Sequence, residues 1–199
     1  MLEPGAPAYD EAVKLDPEGA GSTHADLVPG KPVEVAAGVI RLTAPNPGMM
    51  TGPGTNTYVL GHKRFTVLDP GPDDATHIER ILELTGGAID QVVVTHTHQD
   101  HSPATVALKA RTGCRVYGQP APEGPAQDQT FSPDVEPVNG DLIVTEAGTL
   151  KALYTPGHAS NHLCYLLLEQ ELLFSGDHIM QGSTVVINPP DGDMKAYLE

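Results

Sequence analysis

Short apolar runs separated by Gly and Pro recur along the chain from about residue 33, and their spacing predicts the elements. Residues 33–43 read as one extended, half-buried stretch. Asn56-Thr57-Tyr58-Val59-Leu60 and Phe65-Thr66-Val67-Leu68 predict a hairpin across Gly61-His62-Lys63-Arg64. Pro45-Asn46-Pro47-Gly48 and Gly52-Pro53-Gly54 mark a loop ahead of it, and Asp69-Pro70-Gly71-Pro72 breaks the chain after it. Ile78, Ile81 and Leu82 then fall on one face of a helix that Gly86-Gly87 ends. Gln91-Val92-Val93-Val94-Thr95 reads as a buried strand. A second helix is expected with Ser102 as its N-cap, Pro103 at its first position and a stop at Gly113. Strand, helix, strand, helix is the α/β pattern.

The second half reads differently. A loop rich in Pro, Gln and Asp covers 119–134, and short strands are predicted at 142–144, 150–154, 163–168 and 172–174. Pro189-Pro190-Asp191 introduces a helix over 192–199. Residues 1–32, rich in Gly, Pro and acids without a period, read as an N-terminal arm, and 33–199 as one domain.

Composition narrows the function. No apolar run approaches the roughly 20 residues of a membrane span, and the first residues carry neither a basic segment nor an apolar one behind it. Two cysteines, Cys114 and Cys164, make no disulfide framework and read as buried free thiols, so the cytoplasm is the expected location. A formal charge of −15 disfavours a nucleic-acid substrate, because proteins that grip phosphate backbones carry basic patches. A small-molecule substrate is expected; the sequence carries no sign of oligomeric state.

The candidate chemistry sits where strands end. Thr95-His96-Thr97-His98-Gln99-Asp100-His101 places three imidazoles and a carboxylate directly after an apolar strand. In extended backbone His96 and His98 project to the same side, and the turn into the next helix brings Asp100 and His101 to a neighbouring point. Imidazole and carboxylate are the ligands zinc takes in hydrolytic sites, with a position left open for water. Tyr154-Thr155-Pro156-Gly157-His158 and Leu173-Phe174-Ser175-Gly176-Asp177-His178 repeat the form of a strand ending in ligand types. Five of the nine histidines lie in these three segments, and His162 follows four residues beyond His158.

The order T-H-x-H-x-D-H, then P-G-H, then G-D, resembles the metallo-β-lactamase superfamily. Gly54-Thr55-Asn56-Thr57-Tyr58, the Leu68-Asp69-Pro70-Gly71 turn and Asp100-His101-Ser102-Pro103 are more similar to its lactamase-beta-like hydrolases than to glyoxalase II. The resemblance covers about residues 33–199. It implies an αβ/βα four-layer sandwich with a two-metal site between the sheets, zinc as the metal, and an activated water that attacks an ester, thioester, lactam or phosphodiester bond. His96, His98 and His158 look like ligands of the first metal and Asp100 and His101 like ligands of the second, with Asp177 bridging the two. Asp100 and Asp177 are the candidate catalytic carboxylates. Asp69 looks like the carboxylate that orients the ligand loop, with a plain turn former as the other reading. His162 and His178 read either as pocket-lining or as structural.

One departure stands out. The superfamily pattern ends with a further histidine for the second metal, and none follows His178. The resemblance therefore implies a domain shortened at its C-terminus, with a weakened second site. Two other readings stay in play: a mono-iron dioxygenase using His96, His158 and Asp177 as a facial triad, and an inactive metal-binding remnant or partner-dependent half-domain.

Overall fold

The computed structural model of the chain describes residues 27–199. Residues 1–26 of the predicted arm over 1–32 lie outside the described residues, and Pro32 opens the first strand. Residues 28–31 form a turn held on the domain by the Gly30 N–H, which donates to the Thr43 carbonyl, and by Arg80, which donates to the Gly30 carbonyl.

The first sheet runs β1 (Pro32–Ala36), β2 (Val39–Thr43), β3 (Asn56–Leu60), β4 (Phe65–Leu68), β5 (Ile89–Val93) and β6 (Arg115–Tyr117), each beside the next. The expected single stretch over 33–43 is thus two antiparallel strands, folded back at Ala37-Gly38. Gly38 turns with φ 67°, a conformation side chains disfavour. The predicted hairpin is present as β3 and β4. Helices α1 (Ala75–Thr85) and α2 (Ala104–Thr112) carry the chain from β4 to β5 and from β5 to β6, and those two pairings are parallel. β6, three residues long, offers too little sequence for a period to be read.

Two boundaries differ from expectation for visible reasons. β5 spans 89–93, not 91–95, and the Thr95 N–H donates to the Asp69 carboxylate at 2.7 Å instead of to a neighbouring strand. Ser102 does not cap α2: its hydroxyl donates to Asp128 at 2.7 Å, and Pro103, in helical backbone, stands at the helix start without a side-chain cap. Gly113 ends α2 in the left-handed conformation, as expected.

The second sheet, in the order β10-β9-β8-β7, comprises β7 (Leu142–Thr145), β8 (Gly148–Tyr154), β9 (Leu163–Leu167) and β10 (Leu172–Phe174), all antiparallel. Strand alternation builds two cores from the first sheet. Val59, Val67 and Val92 face α1 and α2 with Ile78, Ile81 and Leu108. Their neighbours Leu60, Leu68 and Val93 face the second sheet with Leu150, Leu163, Tyr165 and Phe174. Burying each of these side chains contributes roughly 1.5–3 kcal/mol. The result is an α/β sandwich with the ends of β4, β5, β8 and β10 brought to one edge. On the outer face of the second sheet, where a fourth layer is expected, Leu142, Val144 and Leu173 remain exposed among the described residues. The predicted last helix is α3 (Met194–Leu198), begun by Asp193, whose carboxylate accepts from the Lys195 and Ala196 N–H groups.

His77 on α1 is buried inside this frame, its Nε2 2.8 Å from the Thr57 hydroxyl. Burial lowers its pKa to about 4. The folded value lies below the unfolded value of about 6.5, so the stabilisation is complete above that pH and is lost as pH falls towards 4. Urea unfolding of metal-free protein at pH 7 and pH 4.5 should show His77→Gln losing less stability than wild type over that interval, by on the order of 2 kcal/mol. Equal losses would contradict the burial argument.

Candidate metal centre

The site begins with the turn after β4. Asp69 is buried, and its carboxylate accepts the Thr95 N–H at 2.7 Å, the Thr95 hydroxyl at 2.8 Å and His101 Nδ1 at 3.0 Å. It therefore ties both ends of the loop after β5 to the turn after β4. Because the Thr95 hydroxyl proton is committed to Asp69, its lone pair faces His96 Nδ1 at 3.1 Å, which must carry the proton. His158 Nδ1 donates to the Val186 carbonyl at 2.6 Å, and His101 Nδ1 donates to Asp69. His96, His158 and His101 thus each have one ring nitrogen held by the protein and present Nε2 inward.

Three of these imidazoles converge. His98 Nδ1 lies 3.0 Å from His96 Nε2 and 2.9 Å from His158 Nε2. A single N–H on His98 can serve only one of the two lone pairs that face it. Burial, reinforced by neighbouring histidines, pushes His96 well below the usual imidazole range, and His98 to about 4. Neutral imidazoles with converging lone pairs are the form in which histidine binds a cation. The donor set fits one metal ion.

The second cluster adjoins the first. His101 Nε2 is buried, 3.3 Å from Asp100 Oδ2 and 3.4 Å from Asp177 Oδ1, yet aligned as a hydrogen bond to neither. Asp177 Oδ2 lies 3.4 Å from His158 Nε2, so this carboxylate stands between the two groups. Burial alone would lower the pKa of His101, but Asp100, Asp177 and Asp69 outweigh it and hold it well above the usual range. Burial opposes the ionisation of Asp100 and Asp177, and His101 overcomes it and keeps both lowered. The point where these atoms meet attracts positive charge. All six predicted ligand residues are therefore gathered at one edge of the sandwich, and two sets, His96 with His98 and His158, and His96 with His101 and Asp177, bring one ligand atom per residue within 4.8 Å of each other.

Supporting residues appear that sequence reasoning did not assign. The Thr55 hydroxyl donates to Asp100 Oδ2 at 2.7 Å, and Asn46 holds Thr55 through both its backbone and its hydroxyl. The Gly54-Thr55-Asn56 signature was visible, but not its reach across 45 residues. His162, left open between pocket and structure, is fully buried: Nδ1 contacts the Thr155 hydroxyl at 2.9 Å, and Nε2 accepts the Asp177 N–H at 3.2 Å. It holds the backbone of Asp177. Gly176, at φ 49°, lies over this ring, where an added Cβ would sit 2.6 Å from His162 Nε2. His178 contacts Tyr197 with ring centroids 4.8 Å apart and belongs to neither ligand set. Cys114 and Cys164 are buried free thiols. No helix among the described residues is long and apolar enough to cross a membrane.

Comparisons with known proteins identify the family. The profile of the metallo-beta-lactamase superfamily matches residues 50–199. Lactamase-like protein adaB of Aspergillus niger is 35% identical over 161 residues, covering 77% of this chain and 48% of that protein. Thioesterase pkgB of Emericella nidulans is 36% identical over 146 residues, covering 71% of this chain and 41% of that one. The chain thus spans about half the length of the curated relatives it matches. Among solved structures, a metallo-beta-lactamase family protein of Thermus thermophilus superposes with a TM-score of 0.70 at 18% identity, over 83% of this chain and 68% of that one, and shares the fold. On its family profile, its sandwich and its histidine-rich edge, the chain belongs to the metallo-beta-lactamase superfamily.

Proposed function

We propose that this chain is a metal-dependent hydrolase that uses zinc and acts on an ester-type bond, with a thioester as the first candidate. The observation that carries the proposal is the convergence of His96 Nε2, His98 Nδ1 and His158 Nε2 on one point while the outer nitrogens of His96 and His158 are held by Thr95 and Val186. Thioester cleavage is favoured by likeness to a relative named as a thioesterase. The loop leading to Thr55 also exposes Met49 and Met50, an apolar surface and not a basic one. A divalent cation held at the point of convergence would supply the chemistry of an activated water and a polarised carbonyl oxygen.

The chain's own residues divide the remaining work. His96, His98 and His158 would hold a first ion, Asp100 and His101 a second, with Asp177 placed to serve both. Side-chain exposures of 29% for Asp100 and 22% for Asp177, against 5% for His101, put the two carboxylates on the open side, where the substrate enters. Asp100, steadied by Thr55 and, against burial, held below the usual carboxylate range by His101, would orient the attacking water and help hold its proton. The dioxygenase reading needs only two imidazoles and a carboxylate, whereas a third imidazole here lies against both nitrogens of that triad.

Replacing His96, His98 or His158 with Ala should each remove the tight metal equivalent and lower thioester hydrolysis by about 100-fold or more. Full metal and activity in all three variants would contradict the assignment. Iron near one equivalent in the native protein would instead favour the dioxygenase.

Asp177 and Asp69 separate by their position. Asp177→Asn should reduce total bound metal more than Asp69→Asn, whose expected cost is about 10–100-fold in affinity through the misorientation of His101 and the loop. Elemental analysis of the purified variants decides; equal or reversed losses would count against a bridging Asp177.

The two sites are unequal. The first has three imidazoles, while the second has one imidazole and two carboxylates among the described residues. Zinc titration of metal-free protein should give one tight equivalent and one weak one, with hydrolysis rising on the second. Two equally tight equivalents would overturn this division.

A further inference from the structure

We infer that Asp191 is a positioning residue that ties the loop of His98 to the loop of His158, and so sets how tightly the cluster holds a cation. The inference rests on the reading that His96, His98 and His158 bind metal.

Asp191 lies on the connection between β10 and α3, away from both ligand sets. Its Oδ2 accepts Gln127 Nε2 at 3.0 Å and the Ser160 N–H at 3.2 Å, and its Oδ1 accepts the Ser160 hydroxyl. Ser160 is two residues past His158. Gln127 reaches the other way, where its Oε1 accepts the Thr97 hydroxyl at 2.6 Å, and Thr97 sits between His96 and His98. Gln127 also pairs with His98 through an isolated bridge. A continuous path therefore runs His98, Thr97, Gln127, Asp191, Ser160, His158, and no link in it uses the cation.

The same connection touches His158 directly. The Val186 carbonyl holds His158 Nδ1 at 2.6 Å. Beyond Asp191, the Asp193 N–H donates to the Gly157 carbonyl at 2.8 Å, and Tyr197 packs so closely on Gly157 that an added Cβ there would lie 2.5 Å from the Tyr197 Cβ. His158 is thus gripped on its ring, at the residue before it and two residues after it by a single segment. Asp191 is where that segment is joined to the loop of His98. A carboxylate suits the task, since it accepts all three donors at once and Gln127 is too buried to find water in its place.

Chelator competition for zinc on the whole chain tests this. Asp191→Ala should weaken the tight equivalent by about 10–100-fold and speed zinc release. Asp191→Asn, which keeps an acceptor for the two N–H donors, should stay within about threefold of wild type. Ser160→Ala, which removes one strut and leaves the carboxylate, should weaken binding in the same direction by about three- to tenfold, and it decides the matter if Asp191→Ala does not fold. In cobalt-loaded protein the visible absorption bands should shift in Asp191→Ala and return in Asp191→Asn, while the melting temperature of metal-free Asp191→Ala stays within a few degrees of wild type. Wild-type affinity and an unshifted spectrum in both Asp191→Ala and Ser160→Ala would overturn the inference. His98→Ala serves as the control: retained tight zinc in that variant would instead overturn the reading of the metal site itself.

Discussion

The site depends on one buried carboxylate. Asp69 leaves β4 in a left-handed conformation, φ 49°, that a side chain adopts only when surrounding contacts demand it. The contacts are the Thr95 N–H, the Thr95 hydroxyl and His101 Nδ1, all on the same two oxygens. Leaving such donors buried and unpaired would cost about 1–3 kcal/mol each, so the turn, the loop and the ring are fixed together. The Thr95 hydroxyl passes the constraint on by facing His96 Nδ1, which leaves His96 Nε2 free. Two imidazoles from one loop are thus oriented by a single side chain in the turn after the adjacent strand.

The rest of the fold brings the other candidate ligands to that loop. The inter-sheet core of Leu60, Leu68, Val93, Leu150, Leu163 and Tyr165 sets the second sheet against the first, with the end of β8 and the end of β10 beside β5. Tyr165 ties the layers with a polar bond as well, its hydroxyl donating to the Val94 carbonyl at 3.1 Å. His158 and Asp177 arrive on turns shaped by Gly157 and Gly176, each in a backbone conformation that glycine accepts readily. His162 joins those two turns from beneath through Thr155 and the Asp177 N–H. Packing sets the approach of the sheets, and hydrogen bonds to the outer nitrogens set the direction of the rings.

Much of this was legible in the sequence because it is local. The histidines after β5, the turn after β4 and the Gly113 stop depend on near neighbours, and so do the short strands of the second sheet. What escaped depends on distance along the chain. Ser102 has the residue type of a helix cap, yet a buried Asp128 competes for its hydroxyl. The break at Gly38 is hidden in a run whose apolar spacing continues through it. Thr55 and His162 act through partners 45 and 15 residues away, and nothing at their own positions names those partners. Asp191, read as the start of a helix, instead joins two loops more than 30 residues apart in sequence.

The central claim is that the converging nitrogens are ligands in waiting, not a packed histidine cluster. Crystallography of the zinc-loaded chain with anomalous data at the zinc edge tests it most directly. The account predicts an anomalous peak in contact with His96 Nε2, His98 Nδ1 and His158 Nε2, with the His96 ring still on Thr95 and the His158 ring still on Val186. An empty centre at saturating zinc, or a peak elsewhere with the three rings unmoved, would contradict it.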